Sequence, residues 1–481
     1  MILIYILIIP IIASLLTVLP LGKRWPEGVS IISSLLVFLL SIKTAISASD
    51  GSVITAINGW ISCDGLSALL LLLIGFVSLV SSIFSWGYME KHLSQRQWRK
   101  KRRYYYRLAL FVFSMLCVPV FSQIALVWVA VELTTLFSVF LVSFENTTDA
   151  LEAAWKYVVL TCMGAALALI GILILYWGMR AVSSEPFTWT GLIHSSDTIA
   201  PSLLKTAFLF ILVGFGTKVG LVPLHTWLPD AHSQAPSPVC VLLSGIETTT
   251  VLYVILRLIP VLGSSPSINA GNWFIAAGLV SVAVAAFLLI QVRDYKRLFA
   301  FSTVEHMGII MVAAGIGTAS ARMGATYQIL AHSITKSLCF FAAGALFIIA
   351  ETREIGSVRG LIRTSPLTGA SLLIGGLAIA GAPPFAVFLS EFSILKAGIE
   401  AGRYIPISLL LIFIITAFCA VMFHINSMVF GRPSNSKVTV QLPPSIILSL
   451  VIAVVPVLLF GIYVPVKLEH LLINAASVLG R

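Results

Sequence analysis

The residues able to do chemistry are few, and nearly all of them stand inside long apolar runs. Lys218 closes LLKTAFLFILVGFGTK, Glu132 sits in WVAVELTTLFSVFLVSF, and Glu247 in LLSGIETTTVLYVILR. Glu305 and His306 lie in AFSTVEHMGII, His332 and Lys336 in LAHSITKSLCFFAAG, and Glu391 in FAVFLSEFSIL. A charge at the centre of a bilayer costs about 2.5–3.5 kcal/mol even on the mildest scale. Each such group must therefore be neutral, paired or hydrated. A row of alternating acids and bases can trade protons when one charge is added or withdrawn, with histidine and hydrated hydroxyls as go-betweens. The competing reading is a set of structural ion pairs, which loses force when an acid or base recurs on span after span. His332 and Lys336, four residues apart, share one helix face.

The stretch that organises these residues is GFGTKVGLVPLHTWLPDAHSQAPSP, Gly214 to Pro238. It opens as a membrane helix and then breaks. Gly214, Gly216 and Gly220 loosen the helix around Lys218, and Pro223, Pro229, Pro236 and Pro238 end its regularity. Irregular backbone at membrane depth survives only where protein or trapped water satisfies it, so a broken helix around a buried lysine is read as a functional site. His225 and His232 in the following loop are a candidate proton mouth or, equally, a packing surface for a partner. A second break, Gly381 to Pro384, precedes Glu391 five spans later.

The chain of 481 residues is 59% hydrophobic and 10% charged, with mean hydropathy +1.03. That composition predicts an all-α polytopic membrane protein rather than soluble domains. Apolar runs of about 18–25 residues give fourteen spans, near 2–20, 28–46, 64–86, 108–122, 124–143, 155–178, 203–222, 239–259, 273–292, 298–316, 323–349, 366–398, 404–428 and 444–465. Only Pro119 to Gln123 separates the fourth from the fifth. The first twenty residues lack a basic start and a small-residue cleavage site and read as a span, not a signal peptide. The two broken spans, the seventh and the twelfth, fit a pair of five-helix repeats that are inverted because five is odd. The expected divisions are 1–107, a three-helix segment with a basic loop; 108–260 and 272–430, the two repeats; and 431–481, a C-terminal helix.

With the N terminus outside, eighteen lysines and arginines fall in inside loops and seven outside. This places both termini outside. The run RQWRKKRRYYYR, Arg96 to Arg107, dominates the count and reads as a topology anchor with an interfacial tyrosine belt. The net charge of +11 lies in these short loops, which argues against a nucleic-acid partner; the bilayer is the expected surrounding. Cys63, Cys117, Cys162, Cys240, Cys339 and Cys419 are scattered without CxxC spacing, and GxGxxG, Walker A and haem motifs are missing. No cofactor and no metal is expected, and no catalytic residue in the sense of bond chemistry.

Four stretches resemble the antiporter-like subunits shared by respiratory complex I, multisubunit sodium/proton antiporters and membrane-bound nickel–iron hydrogenases. They are KVGLVPLHTWLPDAHSQAPSP (Lys218–Pro238), RDYKRLFAFSTVEHMG (Arg293–Gly308), HSITKSLCFFAAG (His332–Gly344) and GAPPFAVFLSEF (Gly381–Phe392). HSQAP and STVEHMG look most similar to the F-type membrane subunits of hydrogenase-4. The resemblance covers about residues 60–430 and implies fourteen helices, inverted repeats and a proton half-channel in each half. It implies that Glu132 is the fifth-helix glutamate, Lys218 the central lysine, His332 and Lys336 the connecting pair, and Glu391 the twelfth-helix ionisable residue. Further candidates for the relay are Glu247, Thr249, His225, His232, Glu305 and His306. The implied role is that of a proton-translocating subunit of a redox-driven complex, most similar to a membrane-bound hydrogenase or formate hydrogenlyase. Its partners would be other membrane subunits and, through the complex, hydrophilic hydrogenase and iron–sulfur subunits. A sodium/proton antiporter module without a redox partner is the alternative. One departure stands out. Where the complex I paralogues carry a lysine on the eighth helix this chain has Thr249, and Glu247, two residues earlier, is expected about 200° round the helix. Either threonine-held water or Glu247 would then take the place of that lysine.

Overall fold

The computed structural model describes residues 1–93, 97–263, 268–431 and 441–480. Arg96, Arg432, Lys437 and Arg481, which entered the charge count, lie outside the described residues. The elements run α1 (Ile2–Val18), α2 (Trp25–Ser49), a short hairpin of β1 (Ile54–Ala56) and β2 (Ile61–Cys63), α3 (Gly65–His92), α4 (Trp98–Val120), α5 (Ile124–Val142) and α6 (Thr148–Arg180). After a short α7 (Trp189–Ser195) come α8 (Pro201–Val219), α9 (Trp227–Gln234), α10 (Ser237–Leu242), a π-helical segment (Leu243–Glu247) and α11 (Thr248–Leu256). Beyond these lie α12 (Ile259–Gly263), α13 (Ala270–Gln291), α14 (Tyr295–Ile316), α15 (Ala319–Ala350), a short α16 (Leu361–Thr364), α17 (Pro366–Ile379), α18 (Ala386–Glu400), α19 (Tyr404–Phe430), α20 (Pro444–Leu459) and α21 (Val466–Val478).

All fourteen expected spans fall on helices, and among the described residues ten helical stretches, Ser237–Gly263 through the π segment being one, are long and apolar enough to cross a membrane. The fold is all-α and polytopic. The fourth and fifth spans part at Phe121–Gln123, with Pro119 still inside α4. Several helices start where a side chain takes up a free backbone N–H group. Asp64 caps α3 by accepting from Ser67 N at 3.0 Å, Thr147 caps α6, Asp294 caps α14 and Thr318 caps α15. The seventh span ends as α8 at Gly220, whose φ of +88° suits a residue without a Cβ; the chain resumes helically only at Trp227. The twelfth span breaks in the same manner at Gly381, φ +77°, between α17 and α18.

The helices sort by what surrounds them. The stretch from Ser237 to Leu258 is buried throughout and α14 almost so, whereas α2 and α19 turn most of their apolar surface outward. Exposed Ile, Leu, Phe and Trp on α1, α6 and α19 form the lipid-facing exterior. The titratable residues are carried chiefly on the inner helices. At one end of α3, Arg257 makes a two-pronged ion pair with Asp64 at 2.5 and 2.8 Å and reaches Ser67 at 2.9 Å, tying the first helices to α11.

Close approach between α6 and α8 sets the position of Lys218. A Cβ on Gly214 would lie 2.5 Å from Gly164 O and closer still to Ala168 N, both backbone atoms that cannot swing aside. Gly214→Ala is therefore expected to lower the melting temperature in detergent, the overpacking costing about 1–3 kcal/mol. Gly28→Ala, with nothing within 4 Å of the added methyl, serves as the control and should melt like wild type. Equal melting of the two variants would contradict this packing.

Candidate functional site: a buried lysine–glutamate pair and its polar chain

Lys218 stands in the last turn of α8 with about 1% of its surface exposed. Its nearest acid is Glu247, not Glu132. Nζ lies 3.4 Å from Glu247 Oε1, donates to Val131 O at 2.5 Å, and bonds the Thr135 hydroxyl. Glu247 Oε1 also accepts from Tyr157 OH at 2.9 Å and lies 2.8 Å from Thr134 Oγ1; Tyr157 OH in turn lies 2.7 Å from Ser138 Oγ. Glu247 Oε2 is buried with no hydrogen-bond partner. Trp227 packs on the Tyr157 ring at 4.6 Å and donates to Thr217 O, fixing the end of α8 beside the pair.

Glu247 reaches Lys218 because the helix is not regular there. The π-helical turn Leu243–Glu247 holds one residue more than an α turn, which rotates the helix beyond it by about 100° relative to the helix before it. The turn shifts the phase of Glu247 relative to the residues before Leu243, whereas Glu247 and Thr249, at and beyond its end, still face apart as a regular helix predicts. Thr248, Thr249 and Thr250 send their hydroxyls back to the carbonyls of Ser244, Gly245 and Ile246. Thr249 is thus engaged with its own helix rather than with the ion pair. Two carbonyls in the π turn are also bound from outside: His332 Nε2 donates to Ser244 O at 3.1 Å and Ser333 Oγ to Gly245 O at 2.6 Å. The same turn thus carries Glu247 on one side and holds α15 on the other.

Beyond it the chain of polar groups continues. His332 keeps Nδ1 buried and without a hydrogen-bond partner, and its ring lies 5.1 Å from that of His306. His306 donates from Nε2 to Ile379 O at 3.0 Å, so its Nδ1 accepts from Gln328 Nε2 at 3.1 Å. Gln328 Oε1 takes the Ser390 hydroxyl, one residue from Glu391. Lys336 bonds Ser302 Oγ at 2.6 Å and Phe299 O, and among the described residues no carboxylate lies within ion-pair distance of it. His332 and Lys336 share a helix face as expected, yet each holds its own acceptor on a neighbouring helix. Glu305 and Glu391 are buried within electrostatic range of each other, and the Glu391 carboxylate packs against Gly381, where an added Cβ would collide with it.

The remaining expected residues are placed differently. Glu132 is only partly buried, its Oε2 accepting from the Cys162 thiol at 3.7 Å and its Oε1 having no hydrogen-bond partner. His225 and His232 are enclosed, and His232 is fully buried between Trp227 and Phe340, with Nδ1 at 2.7 Å from Leu228 O. Thr134, Thr135, Tyr157 and Gln328 were not singled out by sequence. A glutamine within an apolar run was the available signal, since a buried amide must find partners.

The family profile described as "NADH:quinone oxidoreductase/Mrp antiporter, TM" matches residues 122–419, which include every one of these groups. The chain belongs to this family. A second profile, "NADH-Ubiquinone oxidoreductase (complex I), chain 5 N-terminus", matches residues 55–102. The chain is 38% identical to a hydrogenase-4 component F homolog of Methylacidiphilum infernorum over 84% of its own length and 85% of that protein's. It is 30% identical to hydrogenase-4 component B of Escherichia coli over 68% of this chain, and covers 49% of that longer protein. Among solved structures, a chain of the archaeal membrane-bound sulfane sulfur reductase superposes with a TM-score of 0.87 at 24% identity, covering 99% of this chain and 97% of that one. A chain of the Mrp complex from Dietzia superposes at 0.86 with 17% identity, covering 100% and 97%. As a member of the antiporter-like family, the protein is a proton-translocating membrane subunit of a complex I-like assembly.

Proposed function

We propose that this subunit moves protons in a redox-driven assembly of the hydrogenase type, with Lys218 and Glu247 as its central switch. The observation that carries the reading is the buried Lys218–Glu247 pair on a π turn whose carbonyls are held by His332 and Ser333. Glu247 Oε2, the oxygen that Lys218, Thr134 and Tyr157 do not engage, is where a proton would land. A proton there neutralises the carboxylate and removes the counter-ion of Lys218. The amine then turns toward Glu132, the other carboxylate whose charge acts on it. The backbone carbonyl of Ser244 and the free Nδ1 of His332 pass the change in charge to His306 and onward to Glu391, with Lys336 and Glu305 balancing the second half. Protons travel from inside to outside, while electrons stay in partner subunits.

The remaining features of the proposal are a cell-membrane location in a bacterium or archaeon with both termini outside, and repeats spanning 108–260 and 272–430 between the 1–107 and 431–481 segments. Hydrophilic hydrogenase and iron–sulfur subunits would be joined through the complex. Affinity purification of the tagged chain from native membranes tests the redox half of the proposal. A hydrogenase large subunit and iron–sulfur proteins should co-purify in fixed ratio. Recovery of antiporter subunits alone would replace this reading with a sodium/proton exchange module.

A further inference from the structure

A cavity of about 580 Å³ opens where α1 and α3 end and α2 and α4 begin, and no residue of the Lys218 chain lines it. Its lining carries Lys23, Arg24, Lys101 and Arg102 against the two carboxylates of Glu27 and Glu90. Lys101 is committed: it pairs with the buried Glu27 and donates to Lys23 O at 3.0 Å. Arg24 and Glu90 lie 4.0 Å apart with both side chains more than half exposed, which leaves the arginine free to turn to another anion. Arg102 lies over the Trp98 ring at 5.0 Å, its buried Nε without a hydrogen-bond partner among the described residues. Lys23, Arg24 and Arg102 therefore point an excess of positive charge at an open space.

The depth of the cavity says what surrounds it. Three tryptophans mark this level, Trp25 bonded to Leu16 O, Trp86 beneath Arg24 and Trp98 beneath Arg102. Indole rings gather at the headgroup layer, where one edge is wet and the other apolar. Directly beyond the cavity the end of α1 turns Leu15, Val18 and Leu19 outward, 44–63% exposed, as a surface for hydrocarbon. Basic pockets between membrane helices at headgroup depth hold lipid phosphates.

We propose that this cavity binds the phosphate of an anionic membrane lipid, with Lys23, Arg24 and Arg102 around the headgroup and the acyl chains lying along the exposed face of α1. The proposal is independent of the proton path. Occupancy would fasten the loop between α1 and α2 to the start of α4.

The test uses the full-length protein in mild detergent, titrated with phosphatidylglycerol or phosphatidylcholine and read by native mass spectrometry. Wild type should retain phosphatidylglycerol in preference to phosphatidylcholine. The exposed pair Lys23→Gln/Arg24→Gln should weaken phosphatidylglycerol retention by about 30-fold, roughly fivefold for each cation removed. Lys43→Gln/Lys205→Gln, remote from the cavity, should leave retention unchanged. Wild type that shows no preference between the lipids overturns the proposal without recourse to any variant. So does a Lys23→Gln/Arg24→Gln protein that retains phosphatidylglycerol like wild type. Displacement of the lipid by inorganic phosphate at equal concentration would assign the site to free phosphate and overturn the lipid as its occupant.

Discussion

Lys218→Met is expected to cut proton translocation by the assembled complex about a hundredfold or more, the scale on which positioned proton-transfer groups act. The measurement is acidification of inverted membrane vesicles driven by the complex's own redox substrate. Loss of pumping alone would not separate a working lysine from a strut, because the substitution also leaves Glu247 buried without its cation. Breaking a buried pair from one side costs about 3–5 kcal/mol, whereas removing both partners is often close to neutral. The decisive comparison is therefore the double variant Lys218→Met/Glu247→Gln. Its thermal stability in detergent should return most of the way to wild type, since Thr134 and Tyr157 can still bond the amide, while pumping stays lost. A double variant that regained both would make the pair purely structural.

Glu247→Gln and Glu132→Gln should differ in kind. The first strips Lys218 of its closest acid and leaves the amine with Val131 O and Thr135 as neutral acceptors, an expected loss of about 3–5 kcal/mol together with transport. The second removes a partly exposed carboxylate whose hydrogen bond comes from the Cys162 thiol, so its stability cost should be about 1 kcal/mol or less. Its effect should appear in the pumping rate, because Glu132 is the alternative resting place for the amine. Melting curves of the two single variants check the assignment. If Glu132→Gln melted as low as Glu247→Gln, the pairing read from the geometry would be mistaken.

Much of the architecture was legible from residue order. Apolar runs located every span, and the Gly220 and Gly381 breaks announced the two interrupted helices because few other residues tolerate that backbone. Lys218 stood out because nothing apolar explains a lysine there. What the residues did not disclose is which acid Lys218 faces. Helical phase sets Glu247 and Thr249 on different faces without saying which neighbour each face meets, and a π turn leaves no mark in the spacing of apolar residues when the helix is buried. The separate acceptors of His332 and Lys336 were equally hidden, since sharing a face says nothing about what the neighbouring helices present. Cys162 and Glu132 meet across α5 and α6, a contact between residues thirty positions apart that no local pattern encodes.

The π turn at Leu243–Glu247 also has an evolutionary reading. A helix that gains one residue without lengthening its span carries, in effect, an insertion absorbed inside a membrane segment rather than in a loop. Column-by-column alignment of this helix with relatives that lack the turn will then be out of step on one side of it. Thr249 would be paired with a lysine that it does not replace in space, and the functional counterpart of Glu247 would be sought in the wrong column. Superposition of side-chain positions, with a one-residue gap allowed inside the helix, is the comparison that can decide which relatives keep an acid opposite their central lysine.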